Sequence, residues 1–94
     1  MVEGDLLQVL MREGAARALR NADDELRGRL VGAIDRLKRD QFPSGAETIK
    51  GAPGYRRVRV GDYRIVYRVD HRGVEVALIA HRKDVYRKLY RLIW

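Results

Sequence analysis

Apolar and polar residues alternate most regularly near the middle of the chain, in two runs, RRVRV (56–60) and YRIVYRV (63–69), separated by Gly61-Asp62. Alternation of period two is the signature of a strand with one buried face. A two-residue Gly-Asp connection suits a tight hairpin turn of type I′ or II′. Such a turn fixes the register: Val60 faces Tyr63, Arg59 faces Arg64, Val58 faces Ile65 and Arg57 faces Val66. Val58, Val60, Tyr63, Ile65 and Tyr67 then share an apolar face, while Arg57, Arg59, Arg64 and Arg68 share the other.

A helical period governs residues 24–39, where Leu26, Leu30, Val31, Ile34 and Leu37 make one apolar stripe and Arg27 and Arg36 fall on the solvated side. Asn21 or Asp23 is placed to cap this helix, and Pro43 ends it, with Phe42 read as a core plug. Upstream, Leu7, Val9 and Met11 alternate as in an edge strand. Residues 12–21 predict a short helix with Ala15, Ala16 and Leu19 inward. Residues 44–54 are a Gly- and Pro-rich loop whose glycines match no phosphate-binding spacing. A second turn at residues 70–73 leads to a third strand, 74–80, after which Asp84 is placed to cap a final helix on Val85, Leu89, Leu92 and Ile93. The expected fold is α+β: a small twisted antiparallel sheet of about four strands, in the order β-α-α-β-β-β, packed on a helix pair, with a short C-terminal helix and the arginine face left open. The 94 residues suit a single domain.

Charge sharpens this picture. The net charge is +7 and cysteine is absent, which points to an anionic partner and fits a reducing, cytoplasmic setting. No run is apolar enough to span a membrane and no signal peptide is expected. Arg59 and Arg64 stand directly opposite each other, an arrangement that destabilises a sheet. No acid interrupts the arginine set along these two strands. We therefore read this face as a polyanion site that Lys50 can extend.

The segments GDYRIVYRV and HRKDVY, with VEVALIA between them, resemble the RelE toxin family of prokaryotic toxin–antitoxin modules. The resemblance is strong from Tyr55 onward and weaker before it, where Leu7 stands at a position often aromatic in relatives. It implies a metal-independent, cofactor-free mRNA endonuclease that acts in the ribosomal A site, with the 2′-hydroxyl attacking the adjacent phosphate. It also implies a cognate antitoxin as partner. Carried over by position, the family's catalytic residues match Arg57, Arg59, Arg64, Arg82 and Tyr86; Lys50, Arg68 and His81 are added as further RNA contacts from their own charge and position. Relatives often carry Lys where this chain has Arg57 and Arg59. Arginine does not act as a proton acceptor, which leaves Tyr86 or His81 as the base. His81 can equally be a structural side chain between sheet and helix. A ParE-like toxin of the same fold, which inhibits DNA gyrase without cutting, is the alternative.

Overall fold

The computed structural model describes residues 8–94. Strand β1 (Gln8–Met11) leads into helices α1 (Glu13–Asn21) and α2 (Asp24–Arg39). The short strand β2 (Glu47–Thr48), the strands β3 (Arg56–Val60), β4 (Tyr63–Asp70) and β5 (Gly73–His81), and helix α3 (Val85–Ile93) follow. The expected α+β class stands. The sheet, however, has five strands in the order β1-β5-β4-β3-β2. Strand β1 runs parallel to β5, Gln8 beside Gly73, because the α1–α2 pair returns the chain across one face before the three antiparallel strands begin. Strand β2 falls in what the sequence presented as loop, being too short to show a period. Leu7, read as the start of the first strand, lies outside the described residues.

The predicted hairpin register is the observed one, including Arg59 opposite Arg64. At the turn Gly61 has φ of 60°, and among the described residues no non-glycine residue has positive φ. A single positive φ at the first turn position selects type II′ over I′. The β4–β5 pairing shifts by one residue between Val66 and Tyr67: Tyr67 pairs Val76, but Val66 pairs Leu78. This β-bulge leaves Ala77 as an extra residue on β5 and exchanges the faces of everything beyond it.

The first face of the sheet meets α1 and α2 through Ala15, Leu30, Ile34, Leu37, Val60, Ile65, Tyr67, Val74, Val76 and Ile79. Asp23 caps α2 by accepting from the Leu26 amide at 2.8 Å. Val31 belongs to the predicted stripe but is 40% exposed, since it leans past the side of the helix that meets the sheet. Arg27 is half-buried: it donates to the carbonyls of Leu19, Arg20 and Ala22 and to Asp24. It ties the end of α1 to α2, where the sequence suggested a solvated charge. Phe42 is 56% exposed rather than a core plug. The guanidinium of Arg56 lies over its ring at 4.6 Å, which gives an exposed ring a favourable partner.

The opposite face is not open as expected. Helix α3 and the segment before β3 cover its middle in a second cluster of Ile49, Ala52, Val66, Ala80, Val85 and Leu89, flanked by Tyr55, Leu78, Tyr86 and Tyr90. Asp84 precedes α3 without a side-chain cap and instead accepts from Arg87 at 3.0 Å. Leu92 and Trp94 stay exposed. The arginine face is therefore a rim around an apolar patch.

Tyr67 is fully buried and donates to the Gln41 carbonyl at 2.7 Å. Burial pushes its phenol up from the ordinary range, against a smaller opposing pull from Arg56. The folded chain thus keeps this proton at a pH where the unfolded chain releases it. Stability from Tyr67 is complete below about pH 10 and is lost as pH rises beyond it. In urea titrations, Tyr67→Phe should cost about 1 kcal/mol at neutral pH and show a smaller alkaline decline than wild type; an unchanged decline would assign it to other groups.

Candidate functional site

The tip of the β3–β4 hairpin organises the site. Arg64 lies on β4, with Ala80 beside it on β5. Its Nη1 donates to the carbonyls of Gly61 and Tyr63 at 3.0 and 2.9 Å. Arg82, one residue past β5, donates its backbone N–H to the Asp62 carbonyl at 2.7 Å, and its Nε lies 3.5 Å from the Asp62 carboxylate. Two guanidinium groups, one from β4 and one from just beyond β5, thus converge on adjacent residues of one turn. Arg59, opposite Arg64, makes no ion pair or hydrogen bond among the described residues and is exposed.

Arg57 lies diagonal to Arg64, a separation long side chains span. Its guanidinium stands over the ring of Tyr86 at 5.8 Å and pairs with Glu47. Tyr86 reaches this place because α3 packs on Val66 and Ala80 through Val85 and Leu89, setting its second residue at the border of the arginine rim. Arg57, Arg59, Arg64, Arg82 and Tyr86 are thus brought to one end of one face.

The three remaining candidates are separated from this group. His81 pairs with Tyr63 across β4–β5 and contacts its ring edge-on at 5.6 Å, on the helix-packed side of the sheet. Its Nδ1 accepts from the Lys83 amide at 3.1 Å. The bulge is the cause: without the extra residue His81 would face the arginines. Arg68 is held by Glu75, Nε to Oε1 at 2.7 Å. That hydrogen bond and the charge of Glu75 raise its pKa above the ordinary arginine value, and it stacks over Tyr55 at 5.8 Å. Lys50 is exposed, and its carbonyl accepts from the Tyr90 hydroxyl, which clamps the loop to α3.

The arginine set is not free of acids, as its own strands suggested. Glu47 sits across from Arg57 on β2, Glu75 across from Arg68, and Asp62 beside Arg82. Each comes from a different segment, so only the sheet order reveals it. The Asp62 and Glu47 carboxylates are largely exposed. Pairs of this type are worth at most about 1 kcal/mol, so an incoming phosphate can displace them.

The model of a family described as ParE toxin of type II toxin–antitoxin system, parDE, matches residues 9–86. The chain belongs to this ParE toxin family, within the RelE/ParE superfamily. The match runs from β1 to Tyr86 and so includes the whole rim. Among solved structures, the toxin–antitoxin complex RelBE2 from Mycobacterium tuberculosis is 26% identical, covering 84% of this chain and 94% of that one, with TM-score 0.70. The RelB–RelE antitoxin–toxin complex from Methanococcus jannaschii is 24% identical, covering 84% and 96%, with TM-score 0.69. The free-state structure of a mutant E. coli toxin RelE is 18% identical, covering 95% and 99%, with TM-score 0.75. No curated protein matches by sequence. This ParE-family toxin has the same fold as those RelE chains, and none of its described helices is long and apolar enough to cross a membrane.

Proposed function

We propose that this toxin is an endoribonuclease that cuts mRNA in the ribosomal A site, and that the arginine rim binds and activates the scissile phosphate. The observation that carries the reading is the convergence of Arg64 and Arg82 on one hairpin tip, with Arg57 facing Tyr86 beside them. In the reaction the 2′-oxygen forms a bond to the adjacent phosphorus, the bond to the 5′-oxygen breaks, and a 2′,3′-cyclic phosphate and a 5′-hydroxyl result. Negative charge spreads over the phosphate oxygens on the way, and preorganised cations aimed there lower the barrier. Arg64 and Arg82 supply two rigid forks for those oxygens. Arg57 and Arg59 hold the flanking phosphates. Tyr86 takes the 2′-hydroxyl proton or stacks on a base, and the leaving oxygen gains a proton from water. His81, on the other side of the sheet, is not the base. Arg68 and Lys50 contribute charge at the margin.

A cognate antitoxin is the proposed partner, an acidic chain whose helix lies on an apolar groove and whose charges neutralise the rim. The solved complexes of RelE with RelB support this reading, and translating ribosomes place the activity in the cytoplasm. The family's ParE description favours a second reading, inhibition of DNA gyrase without cleavage. One paired experiment separates them: primer extension on an mRNA under translation in a purified system, beside a gyrase supercoiling assay. Cuts within A-site codons with supercoiling unaffected support the nuclease. An intact message with supercoiling blocked assigns the chain to the gyrase inhibitors.

A further inference from the structure

A groove of about 620 Å3 opens on the far side of the hairpin tip, between α2, β3 and the segment that enters β2. Arg29 and Arg36 of α2 and Arg59 of β3 line it, with Gly32, Val58 and Gly61 between them. None of these three guanidinium groups has an ion pair or hydrogen bond among the described residues, whereas those of Arg12, Arg20, Arg57, Arg68, Arg72 and Arg82 each have a carboxylate. The groove is continuous with the rim. Arg29 reaches the tip itself, since a Cβ on Gly61 would lie 3.1 Å from its Nη1. The carbonyl of the same glycine accepts from Arg64. Guanidinium groups thus run from the proposed cleavage site, over the turn, into the groove, with the exposed carboxylates of Asp62 at the turn and Glu47 on the groove wall among them.

We infer that this groove is a second RNA subsite, which takes the phosphates of the strand as it leaves the rim over the hairpin tip. The inference rests on the RNA reading of the rim. Unpaired guanidinium forks suit phosphates, and Val58 and Ala33 offer an apolar wall for a base. An added peptide strand fits less well. Residues 43–45 line the groove next to the β3 edge and occupy the place such a strand would take. Gly32 leaves the floor clear: a Cβ there meets nothing within 4 Å.

The test uses fluorescence anisotropy with non-cleavable 2′-O-methyl RNAs of about 4 and about 16 nucleotides, so that binding is read apart from cutting. For the longer RNA, the double variant Arg29→Ala/Arg36→Ala should flatten the slope of log affinity against log salt by about 1.4, roughly 0.7 per lost phosphate contact. The short RNA, held by the rim, should bind as to wild type. Gly32→Phe keeps every charge and fills the groove, and it should weaken only the longer RNA. Arg64→Ala serves as the control that weakens the short RNA. Loss of short-RNA dependence on Arg64 would overturn the rim reading. Equal slopes for wild type and the double variant on the longer RNA would overturn the groove alone. A glutamate-rich peptide that binds wild type and loses affinity in the double variant, with RNA unaffected, would reassign the groove to a protein partner.

Discussion

Arg64→Ala should lower the rate of mRNA cleavage by about a hundredfold or more, the usual effect of removing one preorganised group from a developing oxyanion, while the melting temperature stays close to that of wild type. The stability half of this expectation follows from what Arg64 does in the free protein. It gives two hydrogen bonds to carbonyls at the rim of a turn, and the turn is already fixed by Gly61 and by the β3–β4 ladder. Arg64→Lys restores the charge without the two-pronged donor and should recover only part of the rate. Single-turnover measurements on ribosome-bound message, beside a thermal melt, check both halves. Full cleavage by Arg64→Ala and Arg82→Ala together would remove the hairpin tip from the chemistry. Asp62→Asn is informative in the other direction. It frees Arg82 from its exposed partner and should leave cleavage intact or raise it slightly.

Gly73→Ala should destabilise the fold by about 3 kcal/mol, through positive-φ strain and steric overlap together. Gly73 has φ of 138°. A Cβ there would run into the carbonyl oxygen of Gln8 and come within 3.1 Å of its N and C atoms. The obstacle is backbone, which cannot step aside as a side chain would. The variant must either lose the start of the β1–β5 pairing or distort the β4–β5 turn. Urea denaturation gives the magnitude, and hydrogen exchange at Val9 to Met11 shows whether β1 opens first. Wild-type stability in the variant would mean that the turn has another conformation available at little cost.

What was legible in the sequence had local causes. The hairpin register could be counted because a two-residue turn leaves one pairing and a strand alternates with period two. Helix α2 was readable from its stripe and from Asp23. What stayed hidden depended on distant partners. Strand β2 has two residues and no period. The parallel seat of β1 is set by β5, far along the chain. The cover over the arginine face comes from α3, whose apolar residues gave no indication of which side of the sheet they would meet. Arg27 looked like a surface charge because its acceptors are carbonyls at the end of another helix. For the site, Arg57, Arg59 and Arg64 fell together because alternation places them, and Tyr86 meets them through the packing of α3 on the sheet. His81 was a candidate from its place beside Arg82 and its chemistry, with a structural role as the alternative, and the fold seats it against Tyr63 on the other face. The extra residue at Ala77 carries no distinctive sequence signal, and it moves His81 through the sheet.

The pairing of Gln8 with Gly73 has a consequence for how the toxin comes into being. Synthesis runs from the N-terminus, so β1 leaves the ribosome well before its partner β5. Loop closure over that span carries an entropic cost that nothing offsets until β5 is there to pair with β1. Arg82 stands just beyond β5, so it joins Arg57, Arg59 and Arg64 of the local β3–β4 hairpin only once β5 is in place. A nascent chain therefore has neither a seat for its first strand nor a complete arginine rim until β5 has emerged.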